Sequence, residues 1–230
     1  MSIRKWSPIL AGVAAVSLAL TGCAAGNGDA DDPNKTNIRY GKAQGPYTVL
    51  FEDAIIPIME EDGYTFEMTD FSDLIQNNHG LNDKEIDVNV EQHTAYAESF
   101  NEADDANIAV LHPIPTVPAG LFSAHFDSLD QIEEGMTVAV PNDAANTSRA
   151  YALLQKAGWI TLDPTADIAT VTAADVVENP MNLDLQELVN TTVAAALDDF
   201  DFAVITGSIV YNAGIDPSTA LLQEDILDHL

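Results

Sequence analysis

Short β-strand patterns alternate with helical patterns along most of the chain, and this alternation limits the fold more than any other sequence feature. Apolar residues at helical spacing, as in Val49 to Met59 and Thr147 to Ala157, fall between short runs rich in β-forming residues. Strands separated by helices are typical of α/β proteins with mostly parallel sheets. The predicted strands are Ile38–Lys42, Tyr64–Met68, Ile86–Val90, Ile108–Leu111, Ala119–Ala124, Met136–Val140, Leu183–Val189 and Phe202–Thr206.

Two prolines divide this alternating pattern near its middle. The run His112-Pro113-Ile114-Pro115 interrupts regular structure because proline lacks a backbone N–H. We therefore predict a first α/β lobe at residues 36–115, a second at 116–210, and a return segment toward the first lobe at 211–230. Ligands of open α/β sheets bind beyond the carboxyl ends of the strands, so we expect a cleft between the lobes there.

The N-terminus has the pattern of a secretory signal. Arg4 and Lys5 precede an apolar run, Ile9 to Leu20, that is too short to span a bilayer as a helix. The run ends in Leu20-Thr21-Gly22-Cys23, which resembles the bacterial lipobox, whose cysteine is acylated and becomes the new N-terminus. We predict a signal peptide at 1–23, lipidation at Cys23, a flexible acidic linker at 24–35, and a protein anchored to the cell membrane on its extracytoplasmic side.

Composition excludes several functions. With 8 Lys+Arg against 37 Asp+Glu, the formal net charge of −29 opposes binding to nucleic acid. Scattered surface carboxylates are typical of solubility at high salt, and no calcium-loop spacing is present. A single cysteine and five histidines without i, i+4 spacing provide no metal site, and neither a Gly-x-Ser-x-Gly elbow nor a phosphate loop occurs. We expect no enzyme activity, metal or cofactor.

Two groups of residues are candidates for ligand binding. Arg149 lies near the start of a predicted helix, where a guanidinium and a helix N-terminus both favour an anion. The alternative is a surface arginine paired with a neighbouring acid, and the sequence does not separate the two. Gln92-His93 and Tyr96 follow the third predicted strand and form a polar, aromatic group, which could equally be a helix cap with a packed tyrosine.

These features together resemble a known family, the methionine-binding lipoproteins of bacterial ABC importers (NlpA/MetQ type). The similar segments span nearly all of residues 36–225 in the family's order. They are Leu20-Thr21-Gly22-Cys23, Gly45-Pro46, Glu85-Ile86-Asp87-Val88-Asn89, Gln92-His93-Thr94-Ala95-Tyr96, Val140-Pro141-Asn142-Asp143 through Asn146 to Arg149, Val177-Glu178-Asn179-Pro180 with Asn182-Leu183, and Leu197-Asp198-Asp199 before Ala203-Val204-Ile205.

The resemblance implies roles for individual residues. Arg149 would clamp the ligand carboxylate with Asn146 supporting its loop, while His93 and Tyr96 would line the side-chain pocket. The family has pocket aromatics where this chain has Glu91 and Leu74, and a ligand-contacting Asn where it has Thr206. A buried carboxylate disfavours an uncharged thioether, so Glu91 either faces a cationic ligand side chain or points to solvent.

The resemblance also implies a function. A two-lobed, periplasmic-binding-protein-like protein would capture a free amino acid, with methionine as the first candidate, and deliver it to a membrane permease with its ATPase. The same fold binding another amino acid or small carboxylate is one alternative. An extracytoplasmic enzyme and a lipoprotein that has lost its ligand are others. Family members continue several tens of residues past the point that matches Leu230, so we expect the C-terminal part of the first lobe to be missing.

Overall fold

The structure is a computed structural model that describes residues 36–43, 45–114 and 116–225. The predicted signal peptide, Cys23 and the linker at 24–35 lie outside the described residues. So do Pro115 and the last five residues of the predicted return segment.

The first lobe is built on a three-stranded parallel sheet. Its strands are β1 (Asn37–Lys42), β2 (Thr65–Asp70) and β3 (Val88–Asn89), in the order β2-β1-β3. Its helices are α1 (Pro46–Leu50), which continues through a π-helical turn (Phe51–Ile55) into α2 (Ile56–Glu61), then α3 (Leu74–Asn82) and α4 (Thr94–Asp104). Each crossover between parallel strands contains a helix, as the alternating pattern predicts.

The second lobe contains a five-stranded mixed sheet and a separate pair of short strands. Its strands are β4 (Gly120–Phe122), β5 (Thr137–Pro141), β6 (Thr161–Leu162), β7 (Val176–Glu178), β8 (Asp184–Leu188), β9 (Phe202–Ile205) and β10 (Leu222–Gln223). Its helices are α5 (Ala144–Lys156), α6 (Asn190–Val193) and α7 (Gly207–Asn212). The sheet order is β10-β4-β9-β5-β8, and β6 and β7 form a separate antiparallel pair. Strands β8, β5 and β9 are parallel, and β4 is antiparallel to both of its neighbours, β9 and β10.

The second sheet is covered on both faces. Val138 and Val140 of β5 belong to one apolar cluster, and Ala139 between them belongs to another. Successive strand residues point to opposite faces, so the two clusters lie on opposite sides of the sheet. The first lobe has a smaller core, in which the rings of Tyr40, Phe51 and Phe66 meet edge to face at 5.5 to 6.3 Å.

One predicted strand is wrong. Residues 108–111 have no regular structure and belong to the segment that crosses between the lobes, with Leu111 81% exposed. The side-chain amide of Asn101 in α4 takes the place of a neighbouring strand. It donates to the Ile108 carbonyl at 2.9 Å and accepts from the Ile108 N–H at 2.8 Å. Both backbone groups of Ile108 are therefore satisfied without a sheet.

The predicted return segment also differs from its expected course. Through residue 225 the chain stays with the second lobe, because β10 pairs antiparallel with β4. Leu222 lies opposite Leu121, and the Leu221 N–H donates to the Leu121 carbonyl at 2.8 Å. Nothing in the sequence pattern predicted the short elements α7, β6, β7 and β10. Two of them, β6 and β10, have only two residues each, too few for a periodic signal.

Candidate functional site

A cavity of about 720 Å³ lies between the lobes, where parallel strands of both sheets end. The segments after β2 and β3 line it from the first lobe, and those after β5, β8 and β9 line it from the second. This is the strand-end position that α/β sheets use for ligands. All seven residues predicted to bind ligand line it: Leu74, Glu91, His93, Tyr96, Asn146, Arg149 and Thr206.

Arg149 is buried and paired with an acid distant in the sequence. Its Nε donates to Oε2 of Glu224 at 3.1 Å, and its Nη2 donates to Oε1 of the same carboxylate. Nη1 donates to Oδ1 of Asn146 at 2.8 Å, and Nη2 reaches the Val117 carbonyl at 3.5 Å. Four of the five guanidinium N–H groups are thus engaged within the described residues, which leaves one on Nη1.

This arrangement differs from the expected two-bond clamp on a ligand carboxylate. The two-bond face of Arg149 is occupied by Glu224. The pairing with an acid agrees with the sequence alternative, whereas the surface location does not, because the Arg149 side chain is only 8% exposed. Glu224 lines a second cavity of about 260 Å³ and is absent from the lining of the larger one, whereas Arg149 lines both. Glu224 therefore approaches from the side away from the larger cavity. Asn146, which contacts Nη1, lines only the larger cavity.

A polar contact between His93 and Asn146 joins the lobes across the cavity. His93 caps the N-terminus of α4, where its Nδ1 accepts from the Tyr96 N–H at 3.2 Å. A neutral imidazole whose Nδ1 accepts carries its proton on Nε2. Nε2 lies 3.4 Å from Oδ1 of Asn146, the same oxygen that accepts from Arg149. First-lobe histidine and second-lobe arginine thus share one acceptor.

The remaining predicted residues provide the polar and apolar wall. Burial, with smaller contributions from Asp143, Asp73 and Asp104, raises the pKa of Tyr96 to about 12, so its hydroxyl is neutral at physiological pH. Thr206 occupies the N-cap position of α7 directly after β9, and its hydroxyl donates to Oδ1 of Asn190 at 3.1 Å instead of accepting from the helix. Leu74 begins α3 and contributes apolar surface.

Glu91 is the most unusual residue of the cavity. It is only 9% exposed, which excludes the alternative that it points to solvent. Its Oε1 accepts from the Ala43 N–H at 3.1 Å. Its Oε2 lies beside Gly45, 3.2 Å from the position that a Cβ would take there. Burial raises the pKa of Glu91 to about 7, although the Ala43 hydrogen bond and the charge of Lys42 oppose the shift.

Sequence reasoning missed three residues at the site. Tyr47 extends from α1 to the crossing segment, where its hydroxyl accepts from the Val117 N–H at 2.9 Å. Asp143 caps α5 by accepting from both nitrogens of Asn146, and burial raises its pKa. Its position three residues before Asn146 is a helix-cap signal that could have found it. Glu224 had no such signal, because 75 residues separate it from Arg149.

The fold and the cavity define a class of protein. Two α/β lobes that enclose a strand-end cavity have the architecture of a periplasmic-binding-protein-like, two-lobed substrate-binding protein. The chain belongs to the NlpA lipoprotein family, whose family model matches residues 38–229.

Named relatives have similar sequences and structures. Outer membrane lipoprotein 2 of Mannheimia haemolytica is 33% identical over 215 residues, 90% of this chain and 77% of that protein. The D-methionine-binding lipoprotein MetQ of Salmonella typhi is 33% identical over 204 residues, 88% and 73% of the two chains. The crystal structure of the substrate-binding protein of a methionine transporter from Streptococcus pneumoniae aligns with a TM-score of 0.76 at 31% identity, covering 84% of this chain and 77% of that one.

In residues 36–43, 45–114 and 116–225, no helix is both long and apolar enough to cross a membrane. The same residues contain no group of three or more His, Cys, Asp or Glu side chains placed to hold a metal ion.

Proposed function

We propose that the protein is the lipid-anchored, extracytoplasmic substrate-binding component of an ABC importer for a free amino acid. The observation that carries this proposal is the cavity between the lobes, to which both lobes contribute polar side chains. The family to which the chain belongs, and relatives that are methionine-binding proteins, support an amino-acid ligand, with L-methionine the first to test.

In this proposal each end of the amino acid has a partner. The remaining Nη1 N–H of Arg149 and the amide of Asn146 face the cavity and would receive the ligand carboxylate. His93 and Tyr96, from the other lobe, would line the side-chain pocket. The His93–Asn146 contact across the cleft indicates how the ligand would couple the lobes, since both residues would touch it.

Anchoring and delivery complete the proposal. Lipidation at Cys23 would hold the protein at the outer face of the cell membrane through the linker at 24–35. The loaded, closed form would then dock on a permease driven by a cytoplasmic ATPase, and no chemistry on the ligand is required. Metabolic labelling of cells with a tagged fatty acid tests the anchoring. The label should be incorporated into the wild-type protein and not into a Cys23→Ser variant.

A thermal-shift screen of the purified protein against the twenty amino acids tests the binding function. A ligand that binds only the native state stabilises it by about 2.7 kcal/mol at a hundredfold excess over its Kd. We expect an upward shift in Tm with one amino acid or a small chemically related group. No shift with any of the twenty would contradict an amino-acid ligand and favour a lipoprotein without this function.

A further inference from the structure

The larger cavity contains three carboxylates, and two of them have structural tasks. Asp73 caps α3, where its Oδ1 accepts from the Gln76 N–H at 2.8 Å and its Oδ2 accepts from the Ser72 hydroxyl at 2.9 Å. Asp143 caps α5 and accepts from both nitrogens of Asn146. Both therefore already satisfy helix N-termini. The third carboxylate, Glu91, caps no helix.

Glu91 has less protein support than a buried carboxylate normally needs. A carboxylate has about four acceptor positions, and among the described residues Glu91 accepts a single hydrogen bond, from the Ala43 N–H at 3.1 Å. The nearest cation is already taken, because Nζ of Lys42 binds both oxygens of Glu52 at 2.7 and 3.0 Å. Oε2 of Glu91 has no hydrogen-bond partner among the described residues.

Space at the carboxylate is also preserved. Gly45 precedes α1, and a Cβ there would approach Oε2 to 3.2 Å, closer than carbon and oxygen normally pack. The φ of Gly45 is 163°, an extended conformation open to any residue, so its backbone does not call for glycine. Glycine at this position leaves room around the free oxygen of Glu91 on the cavity wall.

We propose that Glu91 determines the ligand class by accepting a cationic or N–H-donating group from the ligand's side chain. This inference rests on the proposed amino-acid-binding function. It replaces a thioether with a basic amino acid as the expected substrate class. A buried carboxylate is costly without a partner, and a side-chain ammonium would supply both the opposite charge and the missing hydrogen bonds. Arg149, from the opposite lobe, would remain the partner of the ligand carboxylate.

Two ligands that differ only in a terminal ammonium test this inference. L-Lysine and L-norleucine have the same carbon chain, and only lysine carries the ε-ammonium. Calorimetric titrations are made at pH 8, above the raised pKa of Glu91, on the wild type, Glu91→Gln and the control Glu98→Gln. Glu98 is exposed on α4, so its variant removes the same charge from the surface of the same lobe.

The expected result is a preference that depends on the charge at residue 91. The wild type and Glu98→Gln should bind lysine about 10- to 100-fold more tightly than norleucine, the range for one charged hydrogen bond of about 1.5–3 kcal/mol. Glu91→Gln should reduce this preference to less than threefold. The amide oxygen of Gln at residue 91 can still accept from the Ala43 N–H, so the local fold should persist. The comparison of lysine with norleucine on the wild type is a test that needs no variant.

Other outcomes would overturn the inference. If Glu91→Gln weakens lysine and norleucine equally, Glu91 holds the α-ammonium and does not select the side chain. If the wild type binds methionine or norleucine at least as tightly as lysine, Glu91 does not define a basic ligand. If no amino acid binds the wild type, the proposed function itself fails, and that result is distinct from a wrong ligand class.

Discussion

The two ends of the cavity handle buried charge in opposite ways. At the guanidinium end, where Arg149 and Asn146 line the cavity and Glu224 pairs with Arg149 from behind, nearly every polar group has a partner. At the carboxylate end, formed by Glu91, Ala43 and Gly45, a carboxylate that is 9% exposed has one backbone hydrogen bond. The first arrangement leaves only one N–H of Arg149, on Nη1, without a partner among the described residues, whereas the second leaves a whole carboxylate oxygen without one.

This difference separates structural charges from charges available for recognition. Glu224 and Arg149 have side chains 8% exposed, and the pair joins α5 to the residue after β10. Such a pair supports the fold, because the loss of either member leaves the other buried without a partner. Burial raises the pKa of Glu91, so its charged form costs stability, and a cationic ligand group would offset that cost.

The largest expected effect comes from breaking the guanidinium end. Arg149→Met should lower the free energy of unfolding by about 3–5 kcal/mol, because it leaves the Glu224 carboxylate buried and unpaired. The double variant Arg149→Met/Glu224→Leu should recover most of this loss, since two apolar side chains leave no buried charge. Urea denaturation of the two single variants and the double variant measures the coupling. Additive effects below 1 kcal/mol would show that the pair is not buried in solution.

The same double variant separates ligand binding from stability. Once its fold is restored, it still lacks the Nη1 N–H that faces the cavity. We expect ligand affinity to fall by about 2–5 kcal/mol, the range for removing one partner of a buried charged contact. Calorimetric titration with whichever amino acid the thermal-shift screen identifies measures this loss. Wild-type affinity in the stable double variant would restrict Arg149 to a structural role.

At the carboxylate end the expected effect is a pH dependence. The pKa of Glu91 is about 7 in the folded protein against an ordinary value of 4.5, so the folded state binds more protons between these values. The free energy of unfolding should therefore decrease as the pH rises from 4.5 to 7, by about 3 kcal/mol at 1.36 kcal/mol per unit. Glu91→Gln should lack this component.

Differences between variants isolate this component from the other carboxylates. Urea denaturation at pH 5 and at pH 8 gives, at each pH, the difference in the free energy of unfolding between Glu91→Gln and the wild type. Other carboxylates, such as Asp143 and Glu52, are common to both proteins and cancel in this difference. The free energy of unfolding of Glu91→Gln should increase relative to that of the wild type as the pH rises. An equal pH response in the two proteins would mean that Glu91 titrates near its ordinary pKa and is hydrated.

The sequence predicted the architecture around the cavity because periodicity reports burial directly. The alternation of strands and helices indicated two α/β lobes, and the parallel strands then brought their carboxyl ends together. His93, Tyr96, Asn146 and Thr206 each follow a strand closely or begin the next helix. Their presence in the cavity therefore follows from topology once the strands are known.

The partners of these residues could not be predicted in the same way. Glu224 reaches Arg149 because β10 joins the far edge of the second sheet, and a two-residue strand has no periodic signal. Glu91 lies two residues after a strand that is also only two residues long, so alternation could not decide between cavity and solvent. The run at 108–111 was predicted as a strand because apolar composition does not reveal that Asn101 satisfies its backbone.

The smallest expected effect concerns the link between the two ends. Tyr47 belongs to α1, which begins beside the carboxylate end, and its hydroxyl accepts from the Val117 N–H at 2.9 Å and pairs with Oγ1 of Thr116 at 3.0 Å. The carbonyl of Val117 faces Arg149 at the guanidinium end. Tyr47→Phe should lower the free energy of unfolding by about 1 kcal/mol, because it removes the acceptor of one backbone N–H that water can partly reach.

Tyr211→Phe is the matched control, because Tyr211 is 55% exposed and its hydroxyl loss should change stability by less than 0.5 kcal/mol, roughly the limit for ordinary surface sites. If the hydroxyl of Tyr47 only supports the crossing segment, its loss should add to that of Arg149→Met in urea denaturation. If it positions the Val117 carbonyl against the guanidinium, the combined loss should be smaller than the sum. Non-additivity would show that the two ends contribute jointly to the free energy of unfolding. The contrast between them would then concern their availability to a ligand and not two independent contributions to stability.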